Sequence, residues 1–124
     1  MNLSRAERIQ EMLNDIRRID PDIEGTAVAT NEGLVVASSL NENLDEERLS
    51  AVCAAVNEAI RRTAEELDKG RPTEVFIHAP QGYIFIMKAG AASLLVAVTR
   101  RTANVGLILL DMRKIAREVA PILD

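Results

Sequence analysis

Three short apolar runs follow one another between residues 74 and 99, and only short turns separate them. The runs occupy residues 75–79, 83–87 and 94–98. Turns of this length join neighbouring strands only in the antiparallel sense. Apolar side chains stand at both odd and even positions, whereas a sheet with one face in water alternates apolar and polar residues. We therefore predict three antiparallel strands in a sheet that is covered on both faces.

Two further strands are predicted nearer the N-terminus, at residues 25–30 and 34–38. The intervening residues 31–33 form a tight hairpin loop, in which Gly33 can adopt a positive φ. Thr26, Val28 and Thr30 share one face of the first of these strands. Because two of these three side chains are polar, we expect this hairpin to be less buried than the later strands.

Three amphipathic segments supply the helices that cover the sheet. The first begins at a capping box, Ser4 to Glu7, and ends at Asp20, which precedes a proline. Its expected buried stripe is Ile9, Met12, Leu13, Ile16 and Ile19. The last helix begins after an N-cap at Asn104 and spans about 105–120. Leu107 and Leu110 lie off its buried face; we expect them to pack sideways against the first helix, the alternative being a partner-binding patch.

The middle helix spans roughly 45–68, with Asn43 or Asp45 as its N-cap and with Gly70 and Pro72 beyond its end. Its expected buried stripe is Leu49, Val52, Cys53, Val56, Ile60, Thr63 and Leu67. A ridge of small side chains runs beside that stripe, with Arg62 on its border: Ala51, Ala55 and Ala59. Alanine favours helices in any context, yet such a ridge also lets another helix approach closely. Because most oligomers are two-fold homodimers, we predict that this helix self-associates.

The order of elements is α-β-β-α-β-β-β-α. It predicts one domain over residues 1–124, of the α/β (α+β) class: a five-stranded antiparallel sheet. Covering both faces places the middle helix on one side of the sheet and the two terminal helices on the other.

Composition narrows the classes of partner. Net charge is −4, and aromatic residues make up 2% of the chain with no Trp, so nucleic acid is not an expected partner. Residues 1–5 show no secretory leader, and no apolar stretch reaches membrane-spanning length. Together with a single cysteine, these features predict a cytoplasmic protein that does not insert into membranes.

Candidate chemistry is sparse. The chain has one cysteine, Cys53, and one histidine, His78, and a nucleophilic pair would need both in one cleft. We interpret Cys53 as a core residue and His78 as a residue near a strand end, at an edge or interface. Two such ligands fall short of the four of a structural zinc site, and the glycine motifs of phosphate-binding loops are missing. We therefore predict no catalytic, cofactor-binding or metal-binding residue.

The chain resembles the roadblock family, which includes dynein light chains and prokaryotic regulators of Ras-like GTPases. The resemblance rests on the order of elements, on residues 31–38 and 94–98, and on residues 104–116 with Gly106 just inside the last helix. It implies a roadblock/profilin-like fold and non-enzymatic dimers, in which the strand after the long helix pairs with its copy and the two long helices pack together. The dimer interface that it implies, with the small-residue ridge, is Ala51, Ala55, Ala59, Arg62, Glu74, Val75, Phe76, Ile77, His78 and Ala79.

By this resemblance the protein is expected to be a homodimeric regulatory platform. Its partner would be a small Ras-like GTPase, whose nucleotide cycle or localisation it modulates. The alternative is a dimeric scaffold in a larger complex without GTPase contact. A third alternative, a small-molecule sensor, would require a sizeable apolar pocket between sheet and helices.

Overall fold

Eight elements follow one another in the predicted order, three helices and five strands. The computed structural model describes residues 3–124; Met1 and Asn2, part of the N-terminal stretch discussed above, lie outside the described residues. The elements are α1 (Arg5–Ile19), β1 (Ile23–Thr30), β2 (Val35–Leu40), α2 (Glu46–Glu66), β3 (Glu74–Ala79), β4 (Gly82–Lys88), β5 (Ser93–Arg100) and α3 (Val105–Leu123).

The five strands form one antiparallel sheet in the order β2-β1-β5-β4-β3. Helices α1 and α3 pack on one face, where Leu13 and Met112 meet Phe85 and Leu95 in the larger core. Helix α2 packs on the other face, where Cys53 joins a smaller core. The predicted fold class and the predicted distribution of helices over the two faces are confirmed.

The helix N-termini form as their sequences predict. In α1, the Ser4 hydroxyl accepts a hydrogen bond from the Glu7 N–H at 3.1 Å, and the Glu7 carboxylate accepts one from the Ser4 N–H. Asp45, rather than Asn43, caps α2, because its carboxylate accepts from the Glu47 and Arg48 N–H groups. Asn104 caps α3 through a hydrogen bond from the Leu107 N–H. Each cap satisfies a backbone donor that the first turn would leave without a partner.

The first hairpin is more buried than we expected from its alternating threonines. Strand β1 lies inside the sheet between β2 and β5, and Thr26 and Val28 are fully buried. The Thr26 hydroxyl tolerates this position because it donates a 2.7 Å hydrogen bond to the Val96 carbonyl. The least buried strand is β3, whose residues are alternately exposed and half-buried, whereas β1 is buried along most of its length and β2 in part. The expectation that this hairpin is less buried than the later strands is therefore wrong.

Two of the predicted helical stripes are partly exposed. Ile19 ends α1 and is 68% exposed, and on α2 both Val52 and Leu67 are more than half exposed. The residues that α2 buries are Ser50, Cys53 and Ala54. Small side chains on the face toward the sheet allow close packing, and the larger aliphatic side chains of α2 lie on its flank. The predicted buried stripe of α2 is therefore rotated about the helix axis.

Leu107 and Leu110 do not pack against α1 as expected. They are 44% and 61% exposed, because α3 turns a different face toward the sheet and α1. The buried residues of α3 include Ile108, Met112 and Ile115. The two leucines therefore face outward from the helical layer.

A pair of acidic side chains joins the C-terminal end of α1 to α3. Asp20 is the C-cap of α1 and is buried, and its side chain lies against that of Asp111. One Oδ2 atom of each residue is buried without a hydrogen-bond partner among residues 3–124. Burial, and then the neighbouring Asp111 carboxyl, raise the pKa of Asp20 to about 6. A proton shared between the two carboxyl groups would satisfy both oxygen atoms.

Candidate dimer interface

The edge of the sheet formed by β2 is already occupied by side chains of α1. The Gln10 side chain donates a hydrogen bond to the Ser38 carbonyl and accepts one from the Ser38 N–H at 3.3 Å, so its amide pairs with the backbone as a strand would. Arg17 donates at 3.3 Å to the Ser39 hydroxyl. A break in the register between β1 and β2 at Val28 further distorts this edge. Capped and irregular edges of this kind resist pairing with another strand.

The opposite edge is formed by β3, which among residues 3–124 pairs with β4 and no other strand. A two-residue turn joins these strands, so Ala79 and Gly82 form a hydrogen-bonded pair and the pattern alternates from there. A 2.9 Å hydrogen bond from the Lys88 N–H to the Thr73 carbonyl agrees with this alternation of hydrogen-bonded and non-hydrogen-bonded pairs. The alternation directs the N–H and C=O groups of Glu74, Phe76 and His78 away from β4, which leaves a row of free donors and acceptors.

The side chains of these same three residues lie on the face of the sheet that carries α1 and α3. Phe76 is 47% exposed and stacks on Tyr83 with a ring separation of 5.5 Å, while His78 stacks on Tyr83 at 4.8 Å. Both Glu74 oxygens accept hydrogen bonds from Arg113 of α3, at 2.7 and 2.8 Å. Those bonds lower the pKa of Glu74. The edge strand is thus held in a defined conformation by neighbours on one side.

On the other face, β3 is incompletely covered. Helix α2 packs over β1, β2 and β5, so Val75, Ile77 and Ala79 stay half-buried. Two shallow concavities open on this face. One, of about 300 Å³, is lined in part by Leu49 and Val52, and the other, of about 210 Å³, by Ala79 and Ile84. An apolar strip therefore lies open between the flank of α2 and the β3 edge.

The predicted ridge of alanines is exposed, but its members do not all face this strip. Ala51, Ala55 and Ala59 are each exposed, and a spacing of four turns the ridge by about 80° between its first and last members. A Cβ on Gly33 would lie 3.0 Å from the Ala51 Cα, so Ala51 lies over the β1–β2 turn. Ala55 and Ala59 continue the exposed surface toward Val52.

Val52 is the residue of this surface that sequence reasoning missed. It is 53% exposed, although the sequence pattern placed it on the buried stripe. The sequence did contain a sign of this exposure. The predicted buried stripe and the alanine ridge together occupy more of the surface of α2 than one face of the sheet can cover. Arg62, at the end of the ridge, is exposed on α2 as well.

The residues with catalytic potential are separated. Cys53 lies in the core under α2, where burial raises the pKa of its thiol to about 11. His78 is exposed on the opposite face of the sheet. Across residues 3–124, we find no group of three His, Cys, Asp or Glu side chains that could hold a metal ion. Within the same range no helix has the length and apolar character to cross a membrane.

Comparison with known proteins identifies the family. The model of the Roadblock/LC7 domain matches residues 9–99, well over half of the chain. The chain belongs to the Roadblock/LC7 family. This confirms the resemblance inferred from the order of elements.

The chain is also similar to the following relative and solved structures. Uncharacterized protein MJ0714 of Methanocaldococcus jannaschii is 31% identical over 90% of this chain and 92% of its own length. Among solved structures, Myxococcus xanthus MglB superposes with a TM-score of 0.88 at 17% identity, covering 99% of this chain and 92% of that one. A Roadblock/LC7 domain from Streptomyces avermitilis gives 0.85 at 17% identity, covering 92% and 96%. At these identities the structural likeness establishes the fold.

Proposed function

We propose that this Roadblock/LC7 protein is a non-enzymatic homodimer in which the β3 strands of two subunits pair into one ten-stranded sheet. The observation that carries the proposal is the contrast between the two edges. Gln10 occupies the β2 edge, whereas β3 presents free backbone groups beside an apolar strip. An open, partly apolar edge is a template for strand pairing.

The free groups of β3 define the register of the pairing. Outward N–H and C=O groups at positions 74, 76 and 78 favour a two-fold axis at Phe76. Phe76 then lies opposite Phe76 of the partner subunit, and Glu74 lies opposite the partner's His78. Aromatic pairs are favourable across antiparallel strands, at roughly 0.2–1 kcal/mol each.

Helix packing completes the interface. Extension of the sheet brings the partner's α2 over the half-buried side chains of Val75 and Ile77, on the face where α2 of the first subunit already lies. We assign Val52, Ala55 and Ala59 to the helix–helix contact, with Ala51 and Arg62 at its margin. Small side chains at this contact allow the two helices to approach closely.

Glutamate substitutions on α2 test the helix contact. Ala55→Glu and Val52→Glu would bury a charge in the dimer but leave it exposed in a lone subunit, so both variants are expected to sediment as folded monomers. Ala6→Glu, at an exposed position of α1, is the matched control and should stay dimeric. Dimers that persist unchanged in both α2 variants would contradict the assignment.

Cross-linking tests the register. Residues opposite each other in a hydrogen-bonded pair have Cα atoms about 5.5 Å apart, within the range of a disulfide. Phe76→Cys is therefore expected to form an intersubunit disulfide under mild oxidation. The buried Cys53 should not interfere. Leu34→Cys, exposed beside the β2 edge, is the control. Equal cross-linking of both variants would indicate random collision and refute the register.

For the function of the dimer, we propose that it binds a small Ras-like GTPase and modulates the nucleotide cycle or localisation of that protein. Membership of the Roadblock/LC7 family supports this, as does the separation of Cys53 and His78, which leaves that pair without a shared site. A cytoplasmic location, predicted from the sequence, belongs to the same proposal. The alternative, a scaffold without GTPase contact, uses the same dimer.

Titration with a purified small Ras-like GTPase from the same organism distinguishes the two functions. The GTPase is loaded with GDP or with a non-hydrolysable GTP analogue, and binding and GTP hydrolysis are measured with the wild-type protein. We expect binding that depends on the nucleotide and weakens with the monomeric Ala55→Glu variant. Absence of both binding and any change in hydrolysis, with an intact dimer, would refute the GTPase function and leave the scaffold.

A further inference from the structure

A small basic pocket lies at one end of the sheet, on the face that carries α2 and separate from the β3 edge. It forms where the C-terminal half of α2 passes over the β1–β2 hairpin loop and the end of β4. Its polar lining comprises Asn31, Asn57, Arg61, Arg71 and Lys88, and its volume is about 50 Å³. A single water molecule needs roughly 10–15 Å³, so the pocket has room for a compact ligand.

The pocket concentrates positive charge in a protein whose net charge is −4. Three of its lining side chains are cationic and none is acidic. Arg71 and Lys88 are exposed and make no ion pair with an acidic side chain within residues 3–124. Their charges are therefore available to a ligand.

Arg61 forms a fixed wall of the pocket. Its guanidinium donates to Glu58 at 2.6 and 3.0 Å and to Glu65 at 2.9 and 3.0 Å. These hydrogen bonds hold the side chain along α2 and lower the pKa of Glu58. Most of the charge of Arg61 is balanced by these two carboxylates, so it contributes position and remaining N–H groups rather than net charge.

Two amide side chains add neutral donors. Those of Asn31 and Asn57 make no hydrogen bond to another protein group over residues 3–124. The backbone around Asn31 is anchored, because its N–H donates to the Ala92 carbonyl at 3.0 Å. The neighbouring Ala91 N–H is taken by the Asp124 carboxylate at 3.1 Å. Within residues 3–124, the pocket lining therefore combines two cationic side chains that have no acidic partner with two amide side chains that have no hydrogen-bond partner. The backbone beside them is held by hydrogen bonds.

We propose that this pocket binds a compact oxyanion of the phosphate class, either free phosphate or the end group of a phosphomonoester. Arg71 and Lys88 contact the oxyanion charge, and the Asn31 and Asn57 amides donate to its remaining oxygens. Such charge-assisted hydrogen bonds are stronger than neutral ones. The site is distinct from the interface of the proposed dimer and does not depend on the GTPase function.

Titration of the full chain tests the site. Inorganic phosphate and O-phosphoserine are each added at constant ionic strength set with sodium chloride, while ¹⁵N–¹H spectra are recorded. We expect saturable shifts at the Asn31 and Asn57 side-chain amides and at the Ala91 backbone. Shifts with phosphate alone would assign free phosphate, and shifts with both probes would assign a phosphomonoester end group as well. No saturable shift with either probe would overturn the proposal.

Charge-removing variants locate the binding. Arg71→Gln and Lys88→Met change exposed side chains and should fold normally, as the spectra themselves report. Each removes a charged hydrogen bond and is expected to weaken binding about tenfold. Lys114→Met, on α3 at the opposite face of the sheet, is the matched control and should bind as the wild type does. Equal affinity in all three variants would show that phosphate binds elsewhere, and the proposal would fail.

Discussion

Replacement of Asp20 by Asn should make the protein more stable at neutral pH. Asp20 and Asp111 lie against each other between α1 and α3, and each has one buried oxygen without a partner among residues 3–124. Burial, and then the neighbouring Asp111 carboxyl, disfavour the charged form of Asp20, yet this form predominates at neutral pH because the raised pKa of about 6 still lies below 7. An asparagine keeps the size of the side chain, removes one charge and supplies N–H donors to Asp111.

The size of the effect follows from the pKa of Asp20. Burial and the Asp111 carboxyl raise this pKa from 3.8 to about 6, so the folded state binds a proton more tightly than the unfolded state does. The stabilisation that protonated Asp20 contributes is fully present below pH 3.8, its pKa in the unfolded state. It is lost as the pH rises through about 6, its pKa in the folded state. A shift of this size corresponds to at most about 3 kcal/mol. Because about a third of this is already lost at pH 4.5, we expect the free energy of unfolding to fall by about 2 kcal/mol between pH 4.5 and 7.5.

Urea unfolding, followed by circular dichroism at fixed protein concentration, measures this change. The wild type should lose stability over the range from pH 4.5 to 7.5, and Asp20→Asn should lose much less. The other titrating groups are common to both proteins and cancel in the difference. Fixed concentration matters because dimerisation adds to the apparent stability.

Asp15→Asn is the control for this experiment. Asp15 lies on the same helix, but it is exposed and pairs with Arg18. Its replacement removes the same charge without touching the buried pair, so its pH profile should follow that of the wild type. A wild-type profile that is flat between pH 4.5 and 7.5 would refute the reasoning, as would an equal loss of stability in Asp20→Asn.

The other predictions concern the core, the cysteine and the capped edge. Val96→Ala removes two methyl groups from a fully buried side chain and should cost about 1–3 kcal/mol in urea unfolding; a change below 0.5 kcal/mol, about the usual effect of a surface substitution, would contradict its core position. Cys53, with a pKa raised to about 11, should react with a thiol reagent at pH 8 only after unfolding, and rapid labelling of the native protein would show that it is accessible. Gln10→Ala frees the Ser38 backbone and should increase association beyond the dimer in light scattering. Unchanged particle size would show that Gln10 does not protect the β2 edge.

Local signals in the sequence were enough to predict each element and its order. The capping residues Ser4, Asp45 and Asn104 act on the backbone within three residues of themselves, so the sequence nearby contains all that is needed to predict them. The apolar runs of β4 and β5 likewise indicated a sheet covered on both faces. Even the family was recognisable, because the order of elements survives where individual motifs are weak.

The candidate interface was predictable only in part. The sequence identified β3 as an apolar strand, and the ridge from Ala51 to Ala59 as a surface of small residues. It misplaced Val52, because periodicity shows that a residue is apolar without showing whether the sheet extends far enough to cover it. Only the packing of α2 over β1, β2 and β5 leaves that side chain exposed.

The sequence by itself determined which segments become helices and strands, since capping, turn chemistry and apolar periodicity act over a few residues. Tertiary structure decided which strand ends at the edge and which side chains meet. Strand order is set by contacts between distant residues, so only the fold places Gln10 on Ser38 and leaves β3 free. In the same way, only the fold brings Asp20 against Asp111 and gathers Arg71 and Lys88 around one pocket.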